Sequence, residues 1–178
     1  MTTRIALILL GLALFAAQPV LASTPAAGTP QAFAQRLLRQ LNSTGADGWV
    51  TQHVDGETDP SFRALIDENG ALAQRHYGGV DQDYDPVCQC QDSGGLFTLV
   101  SLTRQGADTA NLRIRITSHL PSSEPPILYT IQIKRIGGAW RIYDVLEGHG
   151  SVRQRLIHHN ACMRASRDPA AIDRCFAH

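Results

Sequence analysis

Apolar residues recur along this chain first at helical spacing, then at every second position, with helical spacing returning near the end. Phe33, Leu37, Leu38 and Leu41 fall on one helical face, and Thr29-Pro30 ahead of them supplies an N-cap and the residue type favoured at the first helical position. Asn42-Ser43-Thr44-Gly45 ends this helix at about Leu41. Asp59-Pro60 opens a second helical region whose stripe of Phe62, Leu65, Ile66, Leu72 and Ala73 is interrupted at Asn69-Gly70. That interruption predicts two short helices with a kink between them. From Gly78 to Gly95 the spacing is neither helical nor extended, which predicts a long loop, a place where function often sits.

From Leu96 the pattern alternates. Strands are predicted over Leu96 to Arg104, Asn111 to Ser118, Ile127 to Lys134 and Ala139 to Val145, the last two joined by a tight turn at Gly137-Gly138. In the second strand Leu112, Ile114 and Ile116 point inward and Arg113, Arg115 and Thr117 outward; in the third, Ile127, Tyr129, Ile131 and Ile133 share one face. Helical signals return with Ser151 as N-cap and Val152, Leu156 and Ile157 as the buried stripe. Asp168-Pro169 caps a last short turn holding Ile172 and Cys175. Helices, then a meander of about four antiparallel strands, then a closing C-terminal helix: this order implies an α+β fold with the N-terminal helices packed on one face of the sheet.

The first residues form a segment apart. Arg4, an apolar run from Ile5 to Ala17, Pro19 and the small-residue pattern Val20-Leu21-Ala22 have the layout of a signal peptide over residues 1–22, cleaved near Ala22/Ser23. The run of 13 residues falls short of the roughly 20 that cross a bilayer, and no Cys stands at the cut to take a lipid. The expected product is a periplasmic protein without a membrane anchor, with a flexible opening at 23–29, one domain at 30–160 and a cysteine-bearing tail at 161–178. Cleavage leaves 156 of the 178 residues, enough for one core. It also removes Arg4, so 15 basic side chains face 16 acidic ones and there is no global attraction to nucleic acid or acidic lipid.

Four cysteines remain, and outside the cytoplasm they imply two disulfides in one of three connectivities, with a four-thiolate zinc site as the rival reading. Cys162, near the end of the closing helix, and Cys175, in the turn after Asp168-Pro169, come together if the tail folds back. They are the expected pair. Cys88 and Cys90 are then left to each other or remain thiols.

The segment ILYTIQIKRIGGAWRIYDV, with its Gly-x-Trp-Arg-Ile-x-Asp-Val ending, resembles the last hairpin of the cone-shaped α+β fold of nuclear transport factor two and scytalone dehydratase. DPVCQCQD, followed by a strand, that hairpin and SVRQRLI, is similar to a family of small bacterial envelope proteins of unknown function with the same fold. The resemblance runs from about Phe33 to Ile157 and implies a curved sheet with a pocket at the open end of the cone. The fold hosts enzymes, binders and structural modules alike, so activity does not follow from it.

Candidate chemistry is sparse. Asp144, in register with Trp140 and Ile142, is placed by the alternation at the open end of the cone, as acid or base in a ligand pocket or as a satisfied strand-end acid. Arg113, Arg115, Gln132, Lys134, Arg141 and Tyr143 alternate outward on three consecutive strands as a cationic face for an acidic partner or as a solvated sheet face. Asp81, Asp83, Asp85 and Asp92 enrich the long loop in carboxylates, but the glycine and distal glutamate of a calcium loop are missing. The seven histidines lack metal-ligand spacing, and no nucleophile elbow, phosphate-cradling loop or Cys-x2-Cys is present. No cofactor is implied.

The leading expectation is therefore a non-enzymatic binder of another protein, through the sheet face or the Asp92-bearing cysteine loop. An immunity-type inhibitor of a secreted antibacterial toxin fits, since the resemblance includes such inhibitors. The alternatives are a small-ligand binder using the cone pocket near Trp140 and Asp144, and an enzyme in that pocket. Export has a direct check. N-terminal sequencing of protein recovered from the periplasm is expected to begin at Ser23 or within a few residues, and an intact Met1 in a membrane fraction would refute it.

Overall fold

The fold begins with a capped helix. In the computed structural model, which describes residues 28–43, 54–77, 85–87, 95–118, 125–148, 150–166 and 175, α1 spans Pro30–Ser43. The Thr29 hydroxyl accepts from the Ala32 N–H at 3.1 Å. A single 3-10 turn at Asp55–Glu57 precedes α2, Pro60–Tyr77. Four long strands follow, β1 at Gly95–Arg104, β2 at Thr109–Ser118, β3 at Ile127–Ile136 and β4 at Ala139–Glu147. The two-residue β5, Gly150–Ser151, leads directly into α3, Val152–Ala165. The expected signal segment lies outside the described residues.

The strands form one open antiparallel sheet in the order β1-β2-β3-β4-β5, one short strand more than the pattern predicted. Gly137 and Gly138 turn β3 into β4 with φ of 58° and 82°, values that residues with a Cβ adopt at a cost. The register shifts twice, leaving Val100 as the extra residue of β1 and Tyr143 as that of β4. Extra residues of this kind bend a strand and raise its twist, which curves the sheet. At the start of β1 a Cβ on Gly95 would collide with the Ile116 side chain, so only glycine allows this close approach.

The concave side holds the core. Phe97, Leu112, Ile114, Ile116, Tyr129, Ile131, Ile133, Trp140, Ile142 and Val145 from the sheet meet Phe33, Leu37 and Leu41 of α1, Phe62 of α2 and Val152 and Leu156 of α3 in one cluster. Each fully buried Phe or Leu adds roughly 1.5–3 kcal/mol relative to exposure. One polar contact aligns α1 with the sheet: the Asn42 amide donates to the Phe97 carbonyl at 3.0 Å and accepts from its N–H at 2.8 Å. On an edge strand these two groups lack a strand partner, and Asn42 stands in for one.

One predicted break does not occur. α2 runs uninterrupted through Asn69-Gly70. Asn69 is buried and donates to Asn160 Oδ1 at 2.9 Å, while Asn160 donates to the Leu65 carbonyl at 2.9 Å. The gap in the apolar stripe is thus a hydrogen-bonded seam between α2 and α3, not a helix end.

α3 continues to Ala165, so the expected tail boundary at 161 falls inside a helix. Cys162 on α3 is bonded to Cys175, 13 residues on, and Cys175 is buried. Cys88 and Cys90 lie outside the described residues. In the chain-entropy treatment a loop of this length stabilises by roughly 3 kcal/mol. Urea unfolding of C162S/C175S is expected to lose about that much relative to the wild-type chain. An unchanged midpoint would show that the link does not hold the tail.

Candidate functional site

Tyr129 sits on the concave face of β3, between Ile127 and Ile131 in the alternating pattern and opposite Ile114 of β2. It is 3 % exposed, and among the described residues its hydroxyl has no hydrogen-bond partner. Beside it is Asp85, whose carboxylate accepts from the Val87 N–H at 2.8 Å, a local turn of the kind Asp favours. Pro86 and Val87 are buried with it. Burial, and then the nearby Asp85 charge, push the Tyr129 pKa well above the ordinary phenol value. The group is a neutral phenol at any physiological pH. It can donate or accept a hydrogen bond but supplies neither a nucleophile nor a base.

Apart from Asp85, the neighbours that strand register gives Tyr129 on this face are apolar. Ile114, Ile116 and Phe97 are buried on the same face. Ile127, two residues before Tyr129 and paired with the buried Ile116, is 49 % exposed. The concave face therefore meets solvent at the start of β3. The sequence pattern placed Tyr129 inward without singling it out; its one distinguishing signal is that it alone of the four inward β3 residues carries a polar tip.

The residues singled out from sequence have other neighbours. Trp140 is buried and its Nε1 donates to the Gly28 carbonyl at 2.8 Å, which fastens the approach to α1. Asp144 pairs with Gln132 while Ile142 pairs with Ile133, so the extra residue Tyr143 takes Asp144 out of register with Trp140 and Ile142. Its Oδ1 accepts from the Val145 and Arg153 N–H groups at 2.7 and 2.9 Å, and its Oδ2 from Ser151 Oγ at 2.6 Å. These bonds secure the start of α3.

The cationic face divides. Arg141 donates to the Gly56 carbonyl, and Lys134 Nζ lies 4.1 Å from the centre of the Tyr143 ring. Arg113 and Arg115 are exposed and form no ion pair among the described residues. Asp92 lies outside the described residues. Among the described residues there is no group of three or more His, Cys, Asp or Glu arranged to hold a metal ion.

No family model matches the chain. It is similar to an uncharacterized protein, YqhG, of Escherichia coli strain K12, at 37% identity over 79 residues, 44% of this chain. The chain spans 25% of that protein's length. Among solved structures it is similar to a phospholipid-binding protein from Ralstonia solanacearum, determined in complex with a phospholipid, at a TM-score of 0.48 and 12% identity. The overlap covers 83% of this chain and 96% of that one. At that level of likeness no residue role carries over.

A polar network on the β4 side of the sheet is structural. Arg153, in the first turn of α3, donates to Asp59 Oδ2 at 3.1 Å, to the Tyr143 carbonyl at 3.0 Å and to Ser61 Oγ, with its guanidinium 4.3 Å from the centre of the Tyr143 ring. Asp59 caps α2 through the Phe62 N–H at 3.2 Å. Burial alone would raise the Asp59 pKa, but hydrogen bonds from Ser61, Arg153 and the Phe62 N–H outweigh it and hold the carboxyl below its ordinary value. Its stabilising contribution is complete above the ordinary Asp value of about 3.9 and is lost as pH falls through the lower folded value. Acid unfolding followed by circular dichroism is expected to steepen below about pH 4 in the wild-type chain. D59N should lack that steepening. Parallel curves would assign acid sensitivity to another group.

Proposed function

We propose that this protein is a non-enzymatic binder of small amphipathic molecules, working outside the cytoplasm after loss of residues 1–22. The observation that carries the reading is the buried Tyr129 hydroxyl, without a partner among the described residues, on a face whose apolar residues reach solvent at Ile127. Leaving such a group unsatisfied costs about 1–3 kcal/mol, and buried polar groups are rarely left so without a reason. A ligand whose apolar body lies along Phe97, Ile114 and Ile116 and whose polar end meets the phenol removes that cost. The Asp85 carboxylate beside the hydroxyl disfavours an anion there, so the group received is neutral, a carbonyl, amide or hydroxyl.

The setting is consistent with export. The Cys162–Cys175 disulfide is compatible with an oxidising compartment, and no helix of the described residues is long and apolar enough to cross a membrane. The immunity-type inhibitor of a toxin rests on compartment, absent motifs and resemblance, and no contact in the fold adds to it. For the enzyme alternative, both Asp144 oxygens already accept bonds from the chain itself. The small-ligand reading is therefore preferred, with its centre at Tyr129 and not at Trp140 and Asp144.

Tyr129→Phe separates a binding hydroxyl from a structural one. Without ligand the variant is expected to be more stable, by about 1 kcal/mol or a Tm rise of about 2–4 °C, because an unsatisfied buried group is gone. Its affinity for Nile red, a neutral apolar probe with a carbonyl acceptor, should fall about tenfold, the worth of one hydrogen bond. A destabilised variant that binds the probe as tightly as the wild-type chain would overturn the reading.

A further inference from the structure

The outer side of the sheet carries a second feature that the ligand site does not use. On β2 the exposed Arg113 and Arg115 alternate with the buried Leu112, Ile114 and Ile116, so both guanidinium groups leave the same face, roughly 7 Å apart along the strand. The register sets Arg115 between Thr98 and Leu128, and Arg113 between Ser101 and Thr130. Leu96 pairs with Thr117 in the next row. Leu96 is 48 % exposed, Leu128 45 % and the extra residue Val100 45 %. These rows contain arginine, leucine, serine and threonine and no acid. The chain as a whole carries equal numbers of acidic and basic side chains, so this is a local separation of charge.

We infer that this patch docks the protein on the surface of an anionic phospholipid bilayer. A guanidinium group takes a phosphate through two parallel N–H donors, and two of them on a rigid strand present a fixed pair of such forks. Leu96, Leu128 and Val100 beside them reach the boundary between headgroups and acyl chains, where apolar side chains gain by leaving water. The short Ser and Thr side chains between them keep the face low enough for a flat surface to approach. Lys134 and Arg141, by contrast, are drawn into contacts within the chain and are not available to it.

The same edge of the molecule carries Ile127, exposed on the concave side and two residues from Tyr129. Docking through Leu96 and Leu128 brings the opening of the concave face to the membrane from which an amphipathic ligand would come. That orientation rests on the ligand reading of Tyr129; the docking itself does not.

The test is sedimentation of the mature chain with two kinds of vesicle, phosphatidylcholine alone and an equal mixture of phosphatidylcholine and phosphatidylglycerol. Binding is expected to the anionic vesicles only and to weaken as salt rises. R113Q/R115Q should lower the partition coefficient by about thirtyfold, from the contribution of two arginines near an anionic surface. Leu128→Ser, which leaves the charge intact, should lower it severalfold. All three positions are exposed, and unchanged circular dichroism will show that the variants fold. Y129F should sediment as the wild-type chain does, so the two readings can fail separately. Absence of binding to either vesicle, equal binding to both, or unchanged binding by R113Q/R115Q overturns the inference, since a face made for an acidic protein would ignore the bilayer. Loss of sedimentation in Y129F would also overturn it, by showing that vesicles are held through ligand capture.

Discussion

The Arg153 guanidinium joins three elements that are far apart in the chain. It reaches Asp59 and Ser61 at the start of α2 and the Tyr143 carbonyl on β4, while its own backbone N–H is held by Asp144. The Arg153 side chain is 13% exposed and that of Asp59 7%, so both charges have largely left water. A buried pair of this kind seldom adds much net stability over an apolar substitute, yet removing one member strands the other and costs several kcal/mol. What the pair supplies is definition. With its guanidinium directed at Asp59, Ser61 and the Tyr143 carbonyl, Arg153 fixes how α2 and α3 sit against β4.

Much else follows from that arrangement. Asp59 and Asp144 each secure the start of one helix, and both are reached by Arg153, one through its side chain and one through its backbone. The seam of Asn69 and Asn160 continues the contact of α2 with α3 away from the sheet, and Leu72 and Met163 complete it. On the opposite edge, Asn42 plays a comparable part for α1 by occupying the free edge of β1 at Phe97. The concave face is thus closed by helices fixed at both edges of the sheet.

Asn42, Asp59, Asn69, Asp144 and Asn160 are all hydrogen-bonded where the helices close the fold. Tyr129 differs: among the described residues its buried hydroxyl has no hydrogen-bond partner, and it lies near the end of the sheet where Ile127, Leu96 and Leu128 are exposed. The contrast separates structure from function. Groups whose bonds are complete within the chain, Trp140 and Asp144 among them, have been given structural work, and those left incomplete or presented to solvent are where another molecule can contribute.

The alternation of Leu112, Ile114 and Ile116 with Arg113, Arg115 and Thr117 was enough to assign the faces of β2, because a half-buried strand leaves no other way to hide its apolar residues. The helix starts at Pro30, Pro60 and Val152 were legible for a similar reason: capping is local chemistry, complete within a few residues. The pairing of Cys162 with Cys175 followed from a short fold-back of neighbouring elements. The place of Asp144 was not legible, since Tyr143 becomes an extra strand residue only when β4 packs against β3 on one side and α3 on the other. Nor does local pattern distinguish Asn69, which reads as a helix break until Asn160, 91 residues away, meets it. By itself, then, the sequence determined the order of the long elements, the faces of β2 and one disulfide, but not the continuity of α2 or the outward place of Ile157 on α3, which is 42% exposed. Only the tertiary structure decided which polar groups are used up and which remain available, because the partner that satisfies a buried donor or acceptor comes from a distant part of the chain.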